Sequence, residues 1–187
     1  MHPLPPNLDP ITVLRMTRPG FLVITAVACG LGFASAYASG CALSPALMTC
    51  VTAVALLMHA SANVLNDYHD ACSGADEANT HGLFPFTGGA RLIQNGEVTP
   101  TQTRTVAYGL ALAAMPLAGW LVWTLGDVAL FIGLVGAGLG WAYSAPPLRL
   151  MTRGAGEFTV AMVWTLIVVG SDAAGRGHVA VTSLAVA

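Results

Sequence analysis

The chain has 187 residues, of which 55% are hydrophobic and 9% charged, with a net charge of −2. A soluble domain is roughly a quarter charged, so this chain lacks the polar residues to cover a soluble globule of its size. Disorder and a disulfide-stapled miniprotein are excluded too, the first by apolarity and the second by four cysteines spread over so long a chain.

What remains is an integral membrane protein, expected in the inner or plasma membrane, with the lipid bilayer as its first partner. All seven basic residues are arginine and the balance is slightly negative, which gives no general attraction for nucleic acid. A membrane-spanning helix needs about 20 mostly apolar residues. Residues Met1 to Pro10 are polar and Pro-rich, and the first arginines come too late for a cleavable signal peptide. Pro19-Gly20 breaks the chain before a first predicted span, about Phe21 to Ala38.

Ser44-Pro45 has the form of a helix start, a serine cap followed by proline in the first turn. It opens a second span that ends near Asn66. The third runs from about Val106 to Leu125, and Gly126-Asp127 makes a tight turn into the fourth, about Val128 to Tyr143. Ala145-Pro146-Pro147 ends the fourth, and the fifth covers about Phe158 to Gly170. A last apolar run, Val179 to Ala187, is too short to cross a bilayer and reads as a sixth span cut short. The expectation is therefore an all-α, multi-span transmembrane bundle: one membrane domain over 1–187, with an Asp-rich loop over 67–104. Gly133, Gly136, Gly138 and Gly140 would let helices approach closely. The four cysteines show no CxxC spacing and read as small apolar fillers.

Orientation follows from arginine. Arg15 and Arg18 precede span one, Arg91 and Arg104 lie between spans two and three, and Arg149 and Arg153 lie between four and five. With five spans these six share one side and Arg176 stands alone on the other, which places the first group in the cytoplasm.

Acidic residues gather on that same side. Asp67, Asp70, Asp76, Glu77 and Glu97 lie in the loop after span two. If the helix continues through Asp70, then at about 100° per residue Asn63, Asp67 and Asp70 share a stripe roughly 60° wide. Asn66 lies at the edge of that stripe and His59 extends it inward. Carboxylates on one face repel each other and oppose the dipole at a helix C-terminus. A hard divalent cation offsets this directly; Mg²⁺ takes one or two carboxylates, with waters and substrate phosphates completing its shell. The plain alternative is an ordinary solvated helix end. Further on, Phe84-Pro-Phe-Thr-Gly-Gly-Ala-Arg91 pairs glycines with an arginine that could hold phosphate oxygens, though a Gly-Gly turn beside a solvated Arg is common. Tyr143 reads as an interfacial belt aromatic, and Arg149 and Arg153 as topology signals.

The pattern Asn63-xxx-Asp67-xx-Asp70 followed by Gly74-x-Asp76 resembles the first aspartate-rich motif of the UbiA-type membrane prenyltransferases. Tyr143-Ser-Ala-Pro-Pro-Leu-Arg149 with Arg153-Gly-Ala-Gly-Glu157 is similar to the stretch after that family's fourth helix, and Leu14-Arg-Met-Thr-Arg-Pro19 to its N-terminal segment. Asn66-Asp67-Tyr68-x-Asp70 looks closest to the 1,4-dihydroxy-2-naphthoate branch, which serves menaquinone synthesis. The resemblance implies a bundle of about nine transmembrane helices that transfers a prenyl group from a polyprenyl diphosphate to an aromatic acceptor, using Mg²⁺. By position, Asp67 and Asp70 would hold metal and, with Asn63, form the catalytic set. Asp76, Arg91, Tyr143 and Arg149 would be substrate-binding.

The chain departs from the family in one respect: no second aspartate-rich motif is present. Beyond Asp127 the only acids are Glu157 and Asp172, and Asp172 is expected after span five on the opposite side. The chain is accordingly expected to be an N-terminal portion, inactive alone unless a complementing C-terminal half joins it. Two other readings compete: a transporter subunit and a non-catalytic scaffold. An ion path would space polar groups across the membrane, whereas here only His59 is ionisable well inside a span. The Asp-Gly and Ala-Arg clusters of the CDP-alcohol phosphotransferases are not found.

Overall fold

A computed structural model describes residues 8–79, 81 and 89–187. In chain order the helices are α1 (Pro10–Met16), α2 (Pro19–Ala38), α3 (Pro45–Ser73), α4 (Ala75–Ala78), α5 (Pro100–Leu125), α6 (Asp127–Ser144), α7 (Gly156–Arg176) and α8 (Val181–Val186), with a 3-10 turn at Leu150–Arg153. The fold is all-α, and α2, α3, α5, α6 and α7 are long and apolar enough to cross a membrane. No strand occurs among the described residues.

The starts of these helices follow local chemistry. Asp9 caps α1, its carboxylate accepting from the amides of Ile11 (2.8 Å) and Thr12 (3.0 Å). Ser44 caps α3 as its sequence predicts, and Thr99 and Gln102 close a reciprocal capping box at α5. Gly126, with φ +65°, turns the chain between α5 and α6 with no further linker.

Alternating directions place two sets of termini at opposite ends. One end gathers the start of α2, the end of α3, the start of α5, the end of α6 and the start of α7. The other holds the α2–α3 and α5–α6 turns and α8. In the bundle α3 packs chiefly on α5, and α2 on α7, with α6 bridging α3, α5 and α7. Outward faces carry Val23, Val27, Leu112, Trp123, Phe131 and Leu134, exposed apolar side chains that suit a lipid environment.

The α2–α7 crossing is closed by small residues. A methyl at Gly32 would stand 2.7 Å from Ser171 Cβ, and one at Gly175 would stand 2.6 Å from Ala36 Cβ. Nearby, Asp172 is fully buried. Its Oδ2 accepts from Arg176 Nε (2.6 Å) and Ser183 Oγ (2.5 Å), and Arg176 Nη2 donates to Ser39 Oγ (2.6 Å) and the Ser35 carbonyl (3.1 Å). Asp172 thus lies inside α7 rather than after the fifth span. Pairing with Arg176 one turn on neutralises it, so the helix continues past the point where hydropathy stops.

The second span also runs longer than its apolar stretch. At 29 residues, α3 is about 44 Å long, against a hydrocarbon layer of roughly 30 Å. Residues 67–73, expected in the loop, form its last turns, and residues 100–104 begin α5. The segment between these helices is therefore shorter than 67–104. Polar partners described below satisfy the extension.

Candidate functional site

The extended end of α3 carries Asn63, Asp67 and Asp70 along one face, as the helical spacing requires. Asn63 Nδ2 donates to the Thr17 carbonyl at 3.0 Å, which ties α3 to the α1–α2 junction. That contact sets Arg18, the next residue, against Asp67: its Nη2 bonds Asp67 Oδ1 and also reaches Asn66 Oδ1 at 3.2 Å. Arg18 takes the left-handed conformation, φ +54°. A non-glycine residue there is uncommon and needs support from its surroundings. Asn66 Nδ2 donates to Asp70 Oδ2 at 2.8 Å, one turn along the helix.

The three aspartates are shielded. Asp67 is 8% exposed, Asp70 9% and Asp76 3%. Asp76 comes from α4, which follows the αL cap Gly74, and Gln94 Nε2 donates to its Oδ2 at 3.2 Å. Burial, and after it the neighbouring Asp67 carboxylate, holds the Asp76 carboxyl above the ordinary range.

A short strap covers Asp67. Gly89 lies directly against it, and the Ala90 amide donates to its carboxylate. Leu92 and Val98 are buried with Met16, Val64, Leu65 and Ala107, and drawing each such large side chain out of water is worth about 1.5–3 kcal/mol. Arg15 holds Glu97 at two points, 2.5 and 3.2 Å, and this keeps the Glu97 carboxyl below its usual range. Arg91, expected at the diphosphate, has φ +55° and donates from Nη1 to the carbonyls of Asp76 (2.9 Å) and Asn79 (3.1 Å). It therefore braces the α4 turn. Between Asp67 and Arg91 is a cavity of about 10 Å³, room for about one water molecule. Residues Phe84–Gly88 of the Gly-Gly stretch lie outside the described residues.

Tyr143 and Arg149 come to this end of α3 from the α6–α7 segment. Tyr143, in the last turn of α6, is half-buried and within electrostatic range of Asp70. Arg149 follows the cis Pro146-Pro147 bond with φ +43°, and its charge reaches His69. Met151 links this loop to α3, its Sδ 3.2 Å from Asn66 Nδ2.

Sequence reasoning assigned Arg18 to topology and left Gln94 and Met151 without a role. Arg18 had a signal, since acids sharing one helix face need a cation and few are available. The contacts of Gln94 and Met151 are set by tertiary packing alone.

Among the described residues no three His, Cys, Asp or Glu side chains are arranged to hold a metal ion by themselves. The carboxylates of Asp67, Asp70 and Asp76 nevertheless lie near enough to feel one another's charge. That donor set suits an Mg²⁺ that arrives with phosphate oxygens, since Mg²⁺ uses only one or two carboxylates and completes its shell from substrate and water.

Residues 16–187 match the UbiA prenyltransferase family. Neither a curated protein nor a solved structure gives a match.

Proposed function

Since the chain belongs to the UbiA prenyltransferase family, we propose that it transfers a prenyl group from a polyprenyl diphosphate to an aromatic acceptor in quinone synthesis. The acceptor assigned is 1,4-dihydroxy-2-naphthoate, on the resemblance of Asn66-Asp67-Tyr68-x-Asp70 to the menaquinone branch. One observation carries the reading: Asp67, Asp70 and Asp76 meet at one end of the bundle with Arg18 held against Asp67.

In this reading Asp67 and Asp70 hold Mg²⁺, which when bound neutralises negative charge on the diphosphate. Asn63 fixes the Thr17 carbonyl and so the approach of Arg18. Arg18 exchanges its bond to Asp67 for a diphosphate oxygen, a charge-assisted bond that strengthens as the leaving group gains charge. Asp76, braced by Arg91, and Arg149 complete the diphosphate site. The Tyr143 ring faces the allylic carbon as it becomes cationic, where an aromatic face stabilises it. The apolar bundle keeps water from that cation. By the arginine count this end faces the cytoplasm.

The test is product formation in membranes containing the chain together with a complementing C-terminal half that carries a second aspartate-rich motif, supplied with a polyprenyl diphosphate, Mg²⁺ and dihydroxynaphthoate. Product is expected, and it should vanish when this chain carries Asp67→Ala and Asp70→Ala. Product that survives the double variant, or no product from the complemented parent chain, overturns the reading.

A further inference from the structure

Where the end of α6 meets the start of α7 there is an open groove of about 440 Å³. That volume lies in the range of small-molecule sites, roughly 300–1,000 Å³. Tyr143 and Trp164 supply aromatic walls, Met151, Val160 and Ala161 supply aliphatic ones, and Glu157 stands at the side. Among the described residues no arginine lines the groove, which gives a diphosphate no cationic side chain there. The polar groups it offers are a phenol hydroxyl and a carboxylate, which suit a ligand that donates hydroxyl hydrogens. The groove is also linked to the aspartates: its Met151 touches Asn66, whose amide bonds Asp70.

Trp164 is braced from behind. The His59 ring meets it edge to face, with centroids 5.4 Å apart and planes at 87°. His59 Nδ1 and Thr25 Oγ1 share a hydrogen bond 2.7 Å long, and Thr25 is fully buried in α2. Asn63, one turn along α3, also borders the imidazole. His59 is the ionisable side chain set deepest in an apolar span, and such residues are costly unless they serve the interior. Its contacts here orient an indole.

The geometry points to this groove as the seat of a hydroxylated planar aromatic molecule, stacked on Trp164, with His59 the positioning residue that fixes the indole plane. The seat stands on the groove itself; naming its occupant the prenyl acceptor rests on the prenyl-transfer reading. An isoprenoid chain would leave the Tyr143 hydroxyl and Glu157 carboxylate unused, and a further apolar helix packed here would bury Glu157 without a cation.

The test is binding of 2-naphthol to the chain in lipid nanodiscs, read by the naphthol's own emission against empty nanodiscs. Saturable binding is expected, with no displacement by geranylgeraniol. Ala161→Phe fills the groove from an exposed position and should abolish it. Trp164→Phe and His59→Gln should each weaken it about three- to tenfold. His59→Phe, which keeps an aromatic edge, should recover most of the loss. Inorganic pyrophosphate with Mg²⁺ should bind all four variants as it binds the parent; a purely structural His59 would weaken both ligands together. Displacement by geranylgeraniol, indifference to Ala161→Phe, parallel loss of both ligands in His59→Gln, or no saturable binding overturns the inference. Naphthol binding without prenyl transfer would sink the proposed activity and leave the groove assignment standing.

Discussion

Gly89 and Asp67 are packed so closely that a methyl group at Gly89 would stand 2.5 Å from Asp67 Oδ1 and 3.0 Å from Arg18 Nη2. Gly89 also has φ +77°. Gly89→Ala therefore meets two penalties: about 1–2 kcal/mol of backbone strain and displacement of the Arg18–Asp67 pair. Gly96, at φ +74° with nothing nearby, isolates the first. Thermal unfolding in detergent should show both variants destabilised, Gly89→Ala more so, with only Gly89→Ala losing pyrophosphate binding.

Arg18 and Asp67 form a buried ion pair, each side chain 11% exposed. Removing one partner leaves an uncompensated charge, which typically costs about 3–5 kcal/mol. Asp67→Ala and Arg18→Ala should each lower stability on that scale, and the double variant by clearly less than their sum. A double-mutant cycle on unfolding midpoints measures the coupling.

Asp76 gives a pH signature. Its folded carboxyl binds a proton more readily than the unfolded one, through burial and then through Asp67. Below the ordinary Asp value both states are protonated and the group contributes nothing. As pH rises from there through the raised value, only the unfolded state ionises freely, and stability falls. Asp76→Asn should therefore match the parent in acid and exceed it at neutral pH without Mg²⁺. Added Mg²⁺ should narrow that gap by stabilising the parent. Unfolding midpoints across pH, with and without the ion, check both statements.

Glu97 behaves oppositely. Arg15 lowers its carboxyl, so the pair's contribution is present above the ordinary Glu value and disappears as pH falls through the lowered one. Glu97→Gln should increase proteolysis of the strap at neutral pH and remove its acid dependence. Cleavage rates at two pH values are sufficient to see it.

At the other end of the bundle, Gly175→Val forces a branched side chain into Ala36 and Leu43. Overpacking of this kind costs typically about 1–3 kcal/mol. Stability should fall while pyrophosphate affinity stays unchanged, because the aspartates lie at the opposite end.

Much of this was legible in the residues. Runs of apolar side chains locate five helices because a bilayer demands them, and Ser44-Pro45 starts α3 where its chemistry says. The shared face of Asn63, Asp67 and Asp70 follows from helical spacing alone. Hydropathy misplaced helix ends wherever charges are neutralised in space. The α3 helix runs to Ser73 because Arg18 and the strap satisfy its acids, and α7 runs to Arg176 because Asp172 is paired. Arg91 shows the other limit: its guanidinium suits phosphate by chemistry, and the fold also bonds its Nη1 to the carbonyls of Asp76 and Asn79. No periodicity encodes that choice.

The close crossing of α2 and α7 has a consequence for synthesis. Arg176 reaches Ser35 across 141 residues of sequence, so α2 leaves the ribosome long before α7 exists. Until then Ser35 and the surface around Gly32 lack their α7 partners, while α3 and α5, nearer in sequence, can already pair. Contacts of such separation form late. An early spanning helix is thus among the last to be fixed in place, and lipid must cover the α7-facing surface of α2 in the interval.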